Sequence, residues 1–226
     1  MAPILLTIVM AVVLLARVGQ SATSSDGWTR DFNVEPGELA STGRNPYFIL
    51  EPGYTLVLQD GATQLTVTVT SDTKTVDGVE TRIVEERETK NGQPVEVSRN
   101  FFAISTRTNS VFYFGEDVDM YSNGKVTGHE GSWTAGEKGA KFGLYLPGLP
   151  LLRARYYQEL APGTAMDRAE IMSLTETLTT PAGRFTNVLK TTEDTPLESF
   201  SKESKYYARG IGLIQDGSLK LIKPGK

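Results

Sequence analysis

The sequence contains no cysteine and a single histidine, His129. Without cysteine, the chain forms no disulfide, offers no thiol nucleophile and carries no lipid on a lipobox cysteine. One histidine excludes a zinc or copper centre built on several imidazoles, and any serine–histidine–aspartate triad would depend on His129. No Gly-x-Ser-x-Gly elbow, phosphate-binding loop or dinucleotide fingerprint is present. Ligand binding and carboxylate chemistry are the function classes left to consider.

Positive charge is also scarce, because 23 Lys and Arg residues face 27 Asp and Glu residues, a net charge of −4. This balance gives no reason to expect nucleic acid or anionic lipid as a partner. Trp28 and Trp133 are the only tryptophans, which is few for a sugar-binding platform. A paired-carboxylate hydrolase stays open, although we lean towards a protein without enzymatic activity.

The N-terminus carries thirteen residues, Ile4 to Ala16, of which only Thr7 is polar. This run is short of the roughly 20 apolar residues of a membrane span and suits the core of a secretory signal. Residues 1–22 are therefore predicted to be a cleavable signal peptide, and the protein to be exported to the periplasm or medium. No Lys or Arg precedes the run, so an uncleaved anchor is the alternative and would be the only membrane contact.

Residues 23–46 are rich in Ser, Thr, Gly and Pro and are predicted to be a flexible tether. From residue 47 the apolar period is two: Leu65, Val67 and Val69 alternate with threonines, which is typical of half-buried strands. We predict one domain over 47–222, all-β, an antiparallel meander forming a curved sheet or open half-barrel. Residues 135–150, rich in Gly and Pro, are predicted to be a crossing loop or exposed arm.

Turn-forming pairs recur every 14 to 18 residues between these runs and suit tight hairpin turns, which require φ > 0. The pairs are Asp60-Gly61, Asp77-Gly78, Asn91-Gly92, Asn109-Ser110 and Asn123-Gly124. A shift of 105 residues lays 75–84 on 180–189 with matching Thr and Gly. The chain is therefore either an internal repeat of units 47–134 and 150–222, or two meanders that share only common turn and strand residues.

Acidic residues cluster in the second half of the chain and are candidate oxygen ligands for a hard cation or an acid–base pair. The stretch Asp119 to Glu130 also resembles a calcium-binding loop, which makes Ca²⁺ a candidate cofactor. A hairpin turn explains Asn123-Gly124 equally well. The alternative is a set of solvated faces or partners for arginines. The candidate metal ligands are Glu116, Asp117, Asp119, Glu130, Glu159, Asp167 and Glu170.

Aromatic residues occur in adjacent pairs, and each pair sends one ring to each face of a strand. The rings either fill the core or line a concave face that holds an apolar, lipid-like ligand, which is the leading functional hypothesis. The apolar stretch 144–152 would be a lid or a partner-docking arm. The candidate ligand-binding residues are Phe102, Phe112, Phe114, Tyr145, Tyr157 and Tyr207.

Five sequence stretches, 114–126, 130–133, 157–170, 183–188 and 207–214, resemble a group of exported bacterial β-rich proteins without an assigned role. The resemblance spans about residues 45 to 222 and implies export without implying an activity. More remotely, the curved-sheet interpretation is similar to the lipoprotein carriers of the LolA, LolB and LppX kind, open half-barrels that hold acyl chains. That similarity implies a lipid-like ligand, but this chain lacks the lipidated cysteine and any pattern for a covering helix.

Overall fold

A computed structural model describes residues 26–198 and 201–225 of the chain, and these residues are almost entirely in β-strands or turns. The only helical element in these ranges is a 3₁₀ turn, Pro36–Glu38. The strands are β1 (Leu39–Ala40), β2 (Gly43–Asn45), β3 (Phe48–Leu50), β4 (Thr55–Asp60), β5 (Thr63–Val76), β6 (Val79–Lys90), β7 (Gln93–Ser105), β8 (Val111–Ser122), β9 (Lys125–Gly128), β10 (Trp133–Thr134), β11 (Lys141–Leu146), β12 (Arg155–Tyr157), β13 (Glu159–Leu160), β14 (Arg168–Thr180), β15 (Gly183–Asp194), β16 (Lys202–Ala208), β17 (Gly212–Asp216) and β18 (Leu219–Lys223).

Sixteen of these strands form one antiparallel sheet, while β2 and β3 pair separately. The main path runs β12-β14-β15-β16-β17-β18-β4-β5-β6-β7-β8-β11-β13, with β1, β9 and β10 added at its side. Its two ends, β12 and β13, are separated in the chain by one residue, Gln158, so the sheet curves until both ends meet on residues 155–160. The prediction of an all-β curved antiparallel sheet is confirmed.

Tight turns connect three of the long hairpins where the sequence predicted them, whereas at the pair Asn109-Ser110 a longer loop, residues 106–110, joins β7 to β8. Both turn residues have positive φ at Asp77-Gly78 (48° and 78°), Asn91-Gly92 (52° and 76°) and Asn123-Gly124 (53° and 72°). Asn, Asp and Gly adopt this conformation at little cost, and it matches the twist of the flanking strands. The first turn lies one residue later than its turn pair suggested, because Asp60 still pairs with Thr63.

The residues predicted to form an arm and a tether differ from those expectations. Residues 141–146 within the 135–150 interval form β11, which pairs with both β8 and β13. Within the described part of the predicted tether, Trp28 is buried against Tyr157, and β1 pairs with β7. β17 is a further strand that the sequence did not indicate. The predicted signal peptide, 1–22, lies outside the described residues.

Two broader expectations concern duplication and the membrane. The hairpins β5–β6 and β14–β15 are related by the 105-residue shift, since each begins, turns and ends at nearly corresponding positions. This is consistent with an internal repeat, which stays a prediction.

Among the described residues, no helix has the length and apolar character needed to cross a membrane.

Candidate functional site

The concave side of the curved sheet holds a partly open cavity of about 260 Å³, which we call the acidic cavity. Six carboxyl groups and one lysine contribute to its wall. The lining residues are Glu86, Glu96, Ser98, Asn100, Phe102, Tyr113, Glu116, Tyr145, Gln158, Glu159, Asp167, Glu193 and Lys205. This volume is about that of nine water molecules in the liquid.

Strand alternation explains how polar residues reach the interior. On β7, Glu96, Ser98, Asn100 and Phe102 occur at every second position and therefore share one face. Asn100 pairs with Glu116 on β8, and Ser98 pairs with Glu86 on β6. Three adjacent strands thus place acidic and amide side chains side by side on the concave face of the sheet.

A β-bulge on β8 brings two residues of that strand to the same wall. Tyr113 and Glu116 are three apart, which would put them on opposite faces of a regular strand. They face Phe102 and Asn100, which are only two apart, so β8 accommodates one extra residue here. Gly115 adopts φ 131° at this point, and a Cβ on it would lie 2.3 Å from the Trp133 carbonyl oxygen. Glycine at 115 therefore lets the bulge form and turns Glu116 inward.

One ion pair on the wall is held by several hydrogen bonds. The Lys205 ammonium lies 3.1 Å from Glu193 Oε2 and 3.7 Å from Asp216 Oδ2. Glu193 Oε1 accepts hydrogen bonds from the Thr191 hydroxyl (3.1 Å) and from Gln158 Nε2 (3.4 Å). Lys205 therefore neutralises charge mainly at Glu193 and Asp216, and the other carboxyls of the cavity have no cation of their own on its wall.

Gln158 is buried, with 3% of its surface exposed, and it lies between the two end strands of the sheet. Its amide nitrogen donates to the Tyr145 carbonyl oxygen and to Glu193, which fixes the orientation of the amide. The amide oxygen is consequently the atom that Gln158 offers to a ligand, and it accepts hydrogen bonds only. A ligand next to it needs a donor group.

Burial raises the pKa of three cavity carboxyls that lack a nearby cation. Burial, followed by repulsion from Asp216, Glu96 and Glu193, outweighs the attraction of Lys205 and raises the pKa of Glu86 to about 7. Burial and repulsion from Glu86 raise the pKa of Glu116 to about 8, although the nearby Tyr113 hydroxyl acts to lower it. Burial, Asp167 and Glu116 hold the pKa of Glu159 well above its ordinary value. The empty cavity therefore carries protons near neutral pH.

The same carboxylates attract the charge of Lys205, the one lysine on the cavity wall, and so stabilise its protonated form. Burial by itself lowers the pKa of Lys205, but Glu193 and Asp216 outweigh it and hold that pKa well above its ordinary value. Lys205 is therefore charged at physiological pH, and it acts as a fixed counter-ion rather than as a proton donor.

Aromatic rings also contribute to the wall of the cavity. Phe102 stacks on Tyr113 with ring centroids 4.7 Å apart, and Tyr145 lies 4.8 Å from Phe102. The Tyr113 hydroxyl donates to Asn100 Oδ1 at 2.5 Å, so the ring is fixed. Rings beside carboxylates are a favourable environment for an organic cation, whose charge is attracted by both.

Two further pockets share wall residues with the acidic cavity. One, of about 660 Å³, shares Asp167, Glu193 and Lys205 with the cavity and is also lined by Glu198 and Glu203. The other, of about 200 Å³, shares Glu86, Glu96 and Ser98 with the cavity. Both pockets are themselves rich in carboxylates, so the surroundings of the cavity carry negative potential.

A separate apolar pocket lies beside Tyr145 and Tyr207, between β4, β5 and β17. Its volume is about 30 Å³, roughly that of one water molecule. An acyl chain would need a larger space than this pocket offers. The expectation of a lipid-like ligand therefore stays a prediction with little support from the volume available.

The structure brings three of the six predicted ligand-binding residues to these interior spaces and places three elsewhere. Phe102 and Tyr145 line the acidic cavity, and Tyr207 lines the apolar pocket together with Tyr145. Phe112 and Phe114 pack on Phe142 across the opposite face of β8, and Tyr157 packs on Trp28 with Arg30 and Arg168 against its ring.

The predicted metal ligands are likewise divided between two environments. Glu116, Glu159 and Asp167 line the acidic cavity. The other four are on outer surfaces: Asp117 binds Lys74, Asp119 binds Arg99 and His129, Glu170 binds Arg153 and Arg155, and Glu130 is exposed. In the ranges 26–198 and 201–225, no three His, Cys, Asp or Glu side chains are arranged to hold a metal ion. The calcium-like stretch is the β8–β9 hairpin.

Sequence reasoning missed five residues of the acidic cavity that carry its chemistry. They are Glu86, Glu96, Gln158, Glu193 and Lys205. A signal for them was present in the alternation of the strands. Glu96 is an even number of residues from Phe102, and Lys205 is an even number from Tyr207, so the strand faces that carry the buried rings also carry charges.

Comparison with protein-family models, with curated proteins and with solved structures finds no match.

Proposed function

We propose that the protein binds a small organic cation, an amine or polyamine, in the acidic cavity. The observation that carries this proposal is the composition of the wall: six carboxyl groups and one lysine surround about 260 Å³. One lysine cannot neutralise six carboxyl groups, and a bound cation supplies further positive charge. Binding then offsets the free-energy cost of burying carboxylates without partners.

The other groups on the wall support an organic cation over a bare metal ion. Phe102, Tyr113 and Tyr145 provide aromatic faces for an alkylammonium group, and Gln158 provides a hydrogen-bond acceptor. A metal ion needs several oxygen atoms at about 2.0 to 2.6 Å around one point, and the described residues hold no such group of acidic side chains.

Binding is coupled to proton release in this proposal. Glu86 and Glu116 have pKa values of about 7 and 8, so at pH 7 Glu86 is about half protonated and Glu116 is mostly protonated before a cation binds. A cation favours their ionised forms, and the protons leave as it binds. Affinity therefore rises with pH between about 6 and 8.5.

Thermal unfolding with a panel of ligands tests the proposal. At pH 8, saturating spermidine, putrescine or agmatine should raise the melting temperature of the full chain by about 5 °C, while neutral diols and dicarboxylates should not. The double variant Glu116→Gln/Glu159→Gln should lose most of this response. No shift with any amine would overturn the proposal.

A matched control lies next to the cavity in the sequence. Asp117 follows Glu116 but points to the outer face, where it binds Lys74 at 3.1 Å. Asp117→Asn changes the net charge by the same amount as one cavity substitution, and it should leave the amine response unchanged. A response reduced equally in Asp117→Asn would indicate non-specific charge attraction.

A further inference from the structure

The loop between β11 and β12, residues 147–154, presents three leucines to solvent, and we call it the leucine loop. Leu149, Leu151 and Leu152 are 77%, 64% and 59% exposed. Single exposed leucines are ordinary on protein surfaces, but three within four residues form an apolar projection. The acidic cavity does not include any of them.

Both ends of the leucine loop are fixed to the body, so the leucines are held outward. The Gly148 amide donates to Ser110 Oγ at 3.1 Å, and a Cβ at Gly148 would lie 1.8 Å from the Thr108 carbonyl oxygen. Asn45 Nδ2 donates to the Pro147 carbonyl oxygen, and the Arg153 amide donates to the Ile171 carbonyl oxygen. A loop anchored in this way presents its leucines at no further ordering cost.

Arginines surround the base of the loop. Arg153 and Arg155 both bind Glu170, at 3.1 Å and 2.9 Å. Arg155 and Arg168 also lie over the Trp28 ring. Together with Arg30, four guanidinium groups face the three carboxylates of Asp26, Glu170 and Asp194. Arginine side chains are therefore concentrated beside the leucine loop, although each is paired with a carboxylate and the exposed Asp31 adjoins Arg30 in the chain.

The described chain also begins at this place. Thr29 pairs with Tyr156, and its amide donates to the Arg155 carbonyl oxygen. Arg155 is three residues after Leu152, a separation of at most about 11 Å between Cα atoms. The apolar run Ile4 to Ala16 ends ten residues before Asp26, a separation of at most about 36 Å between Cα atoms. In the alternative in which the run is an uncleaved anchor, the membrane that holds it is within reach of the leucine loop.

We propose that the leucine loop inserts its three leucines into the interface of a lipid bilayer, with the neighbouring arginines at the level of the headgroup phosphates. Apolar side chains flanked by arginines are the composition that interfacial contact requires, because arginine keeps its charge in the headgroups while leucine leaves water. This contact is independent of the cation that the acidic cavity holds.

Site-specific labelling tests this proposal on the full chain, because the absence of cysteine makes a single introduced thiol unique. The variant Leu151→Cys is labelled with an environment-sensitive nitrobenzoxadiazole fluorophore and mixed with phosphatidylcholine–phosphatidylglycerol vesicles that contain a nitroxide-labelled lipid. The label at 151 should shift to shorter wavelength and be quenched about threefold more than a label on the control.

Val126→Cys is the matched control, since Val126 is an exposed apolar residue at the opposite end of β8. Val126 pairs with Tyr121, whereas Leu146, the last residue before the leucine loop, pairs with Val111. Val126 and the base of the loop are therefore ten residues apart along β8, a distance of at most about 33 Å. The control separates contact at the loop from attachment through the N-terminal run, which would bring both labels to the vesicle without inserting either.

Two results would overturn the proposal. The first is equal quenching of the labels at 151 and 126. The second is a blue shift at 151 that depends on protein concentration without vesicles, because a second copy of the chain would then cover the loop. If the proposal holds, adding Leu149→Ser/Leu152→Ser to the Leu151→Cys protein abolishes the excess quenching and leaves the melting temperature unchanged.

Discussion

At the scale of single residues, the interior of this protein is defined by an imbalance of charge. Lys205 is the one cation among the carboxyls of the acidic cavity, and it contacts Glu193 and Asp216. Buried ions without partners cost several kcal/mol each. The empty protein lowers that cost by keeping protons on Glu86, Glu116 and Glu159.

Removing the lysine should therefore destabilise the fold strongly. Lys205→Met leaves Glu193 without its cation, and breaking a buried pair in this way costs about 3–5 kcal/mol. Urea unfolding measures the loss. The double variant Lys205→Met/Glu193→Gln should recover part of it, because only Asp216 is then left without its cation. Equal losses in the single and double variants would show that packing, and not charge pairing, is what Lys205 contributes.

At the scale of elements, the structure distinguishes glycines that permit a turn from glycines that permit close approach. Asn91-Gly92 and similar pairs predicted their hairpins correctly, because the requirement for positive φ is local. Gly143 lies within β11, where a Cβ would be 2.2 Å from the Gln158 carbonyl oxygen. The sequence interpretation of this segment as a crossing loop was wrong, because a glycine required by a packed neighbour looks the same as a strand breaker.

The site was less predictable than the fold for a related reason. Alternation along β7 was visible, but the side of the strand that faces the interior depends on how the whole sheet curves. Glu96, Ser98 and Asn100 were consequently not considered as site residues, although Phe102 on the same face was. The bulge at Gly115 also made the site hard to predict. It brings Glu116 to the same face as Tyr113, and it depends on contact with β10, which the local sequence does not show.

The bulge itself gives a prediction at this scale. Gly115→Ala should destabilise the protein by about 3 kcal/mol or more, because a Cβ there meets backbone atoms of Trp133 and the backbone has φ 131°. Gly92→Ala also replaces a glycine at positive φ, but nothing lies within 4 Å, so it should cost about 1 kcal/mol. Chemical denaturation of the two variants compares them directly, and equal losses would contradict the close approach of β8 and β10.

At the scale of the whole molecule, the protonated carboxyls should make stability fall as pH rises. Glu86 and Glu116 have folded-state pKa values of about 7 and 8, above the ordinary value of 4.5. The folded state therefore binds more protons than the unfolded state between about pH 4.5 and 8, and the stability present at the acidic end is lost through that range.

Urea midpoints at pH 5.5 and 8.5 measure this dependence. Without ligand, the free energy of unfolding should be lower at pH 8.5 by about 5 kcal/mol, and Glu86→Gln/Glu116→Gln should flatten the slope. Bound cation should also flatten it, because the ionised carboxylates then have a partner. A midpoint that rises with pH would show that these carboxyls are ionised in the empty protein.

Proton-linked binding is the most direct test of a cavity that exchanges protons for an organic cation. Titration calorimetry of the full chain with spermidine at pH 7, in two buffers of different ionisation enthalpy, reports affinity and proton exchange together. The structure predicts saturable binding with release of about one proton, reduced at least tenfold in affinity by Glu116→Gln/Glu159→Gln and unchanged by Asp117→Asn. Absence of saturable binding, or binding without proton release that ignores the cavity substitutions, would contradict it.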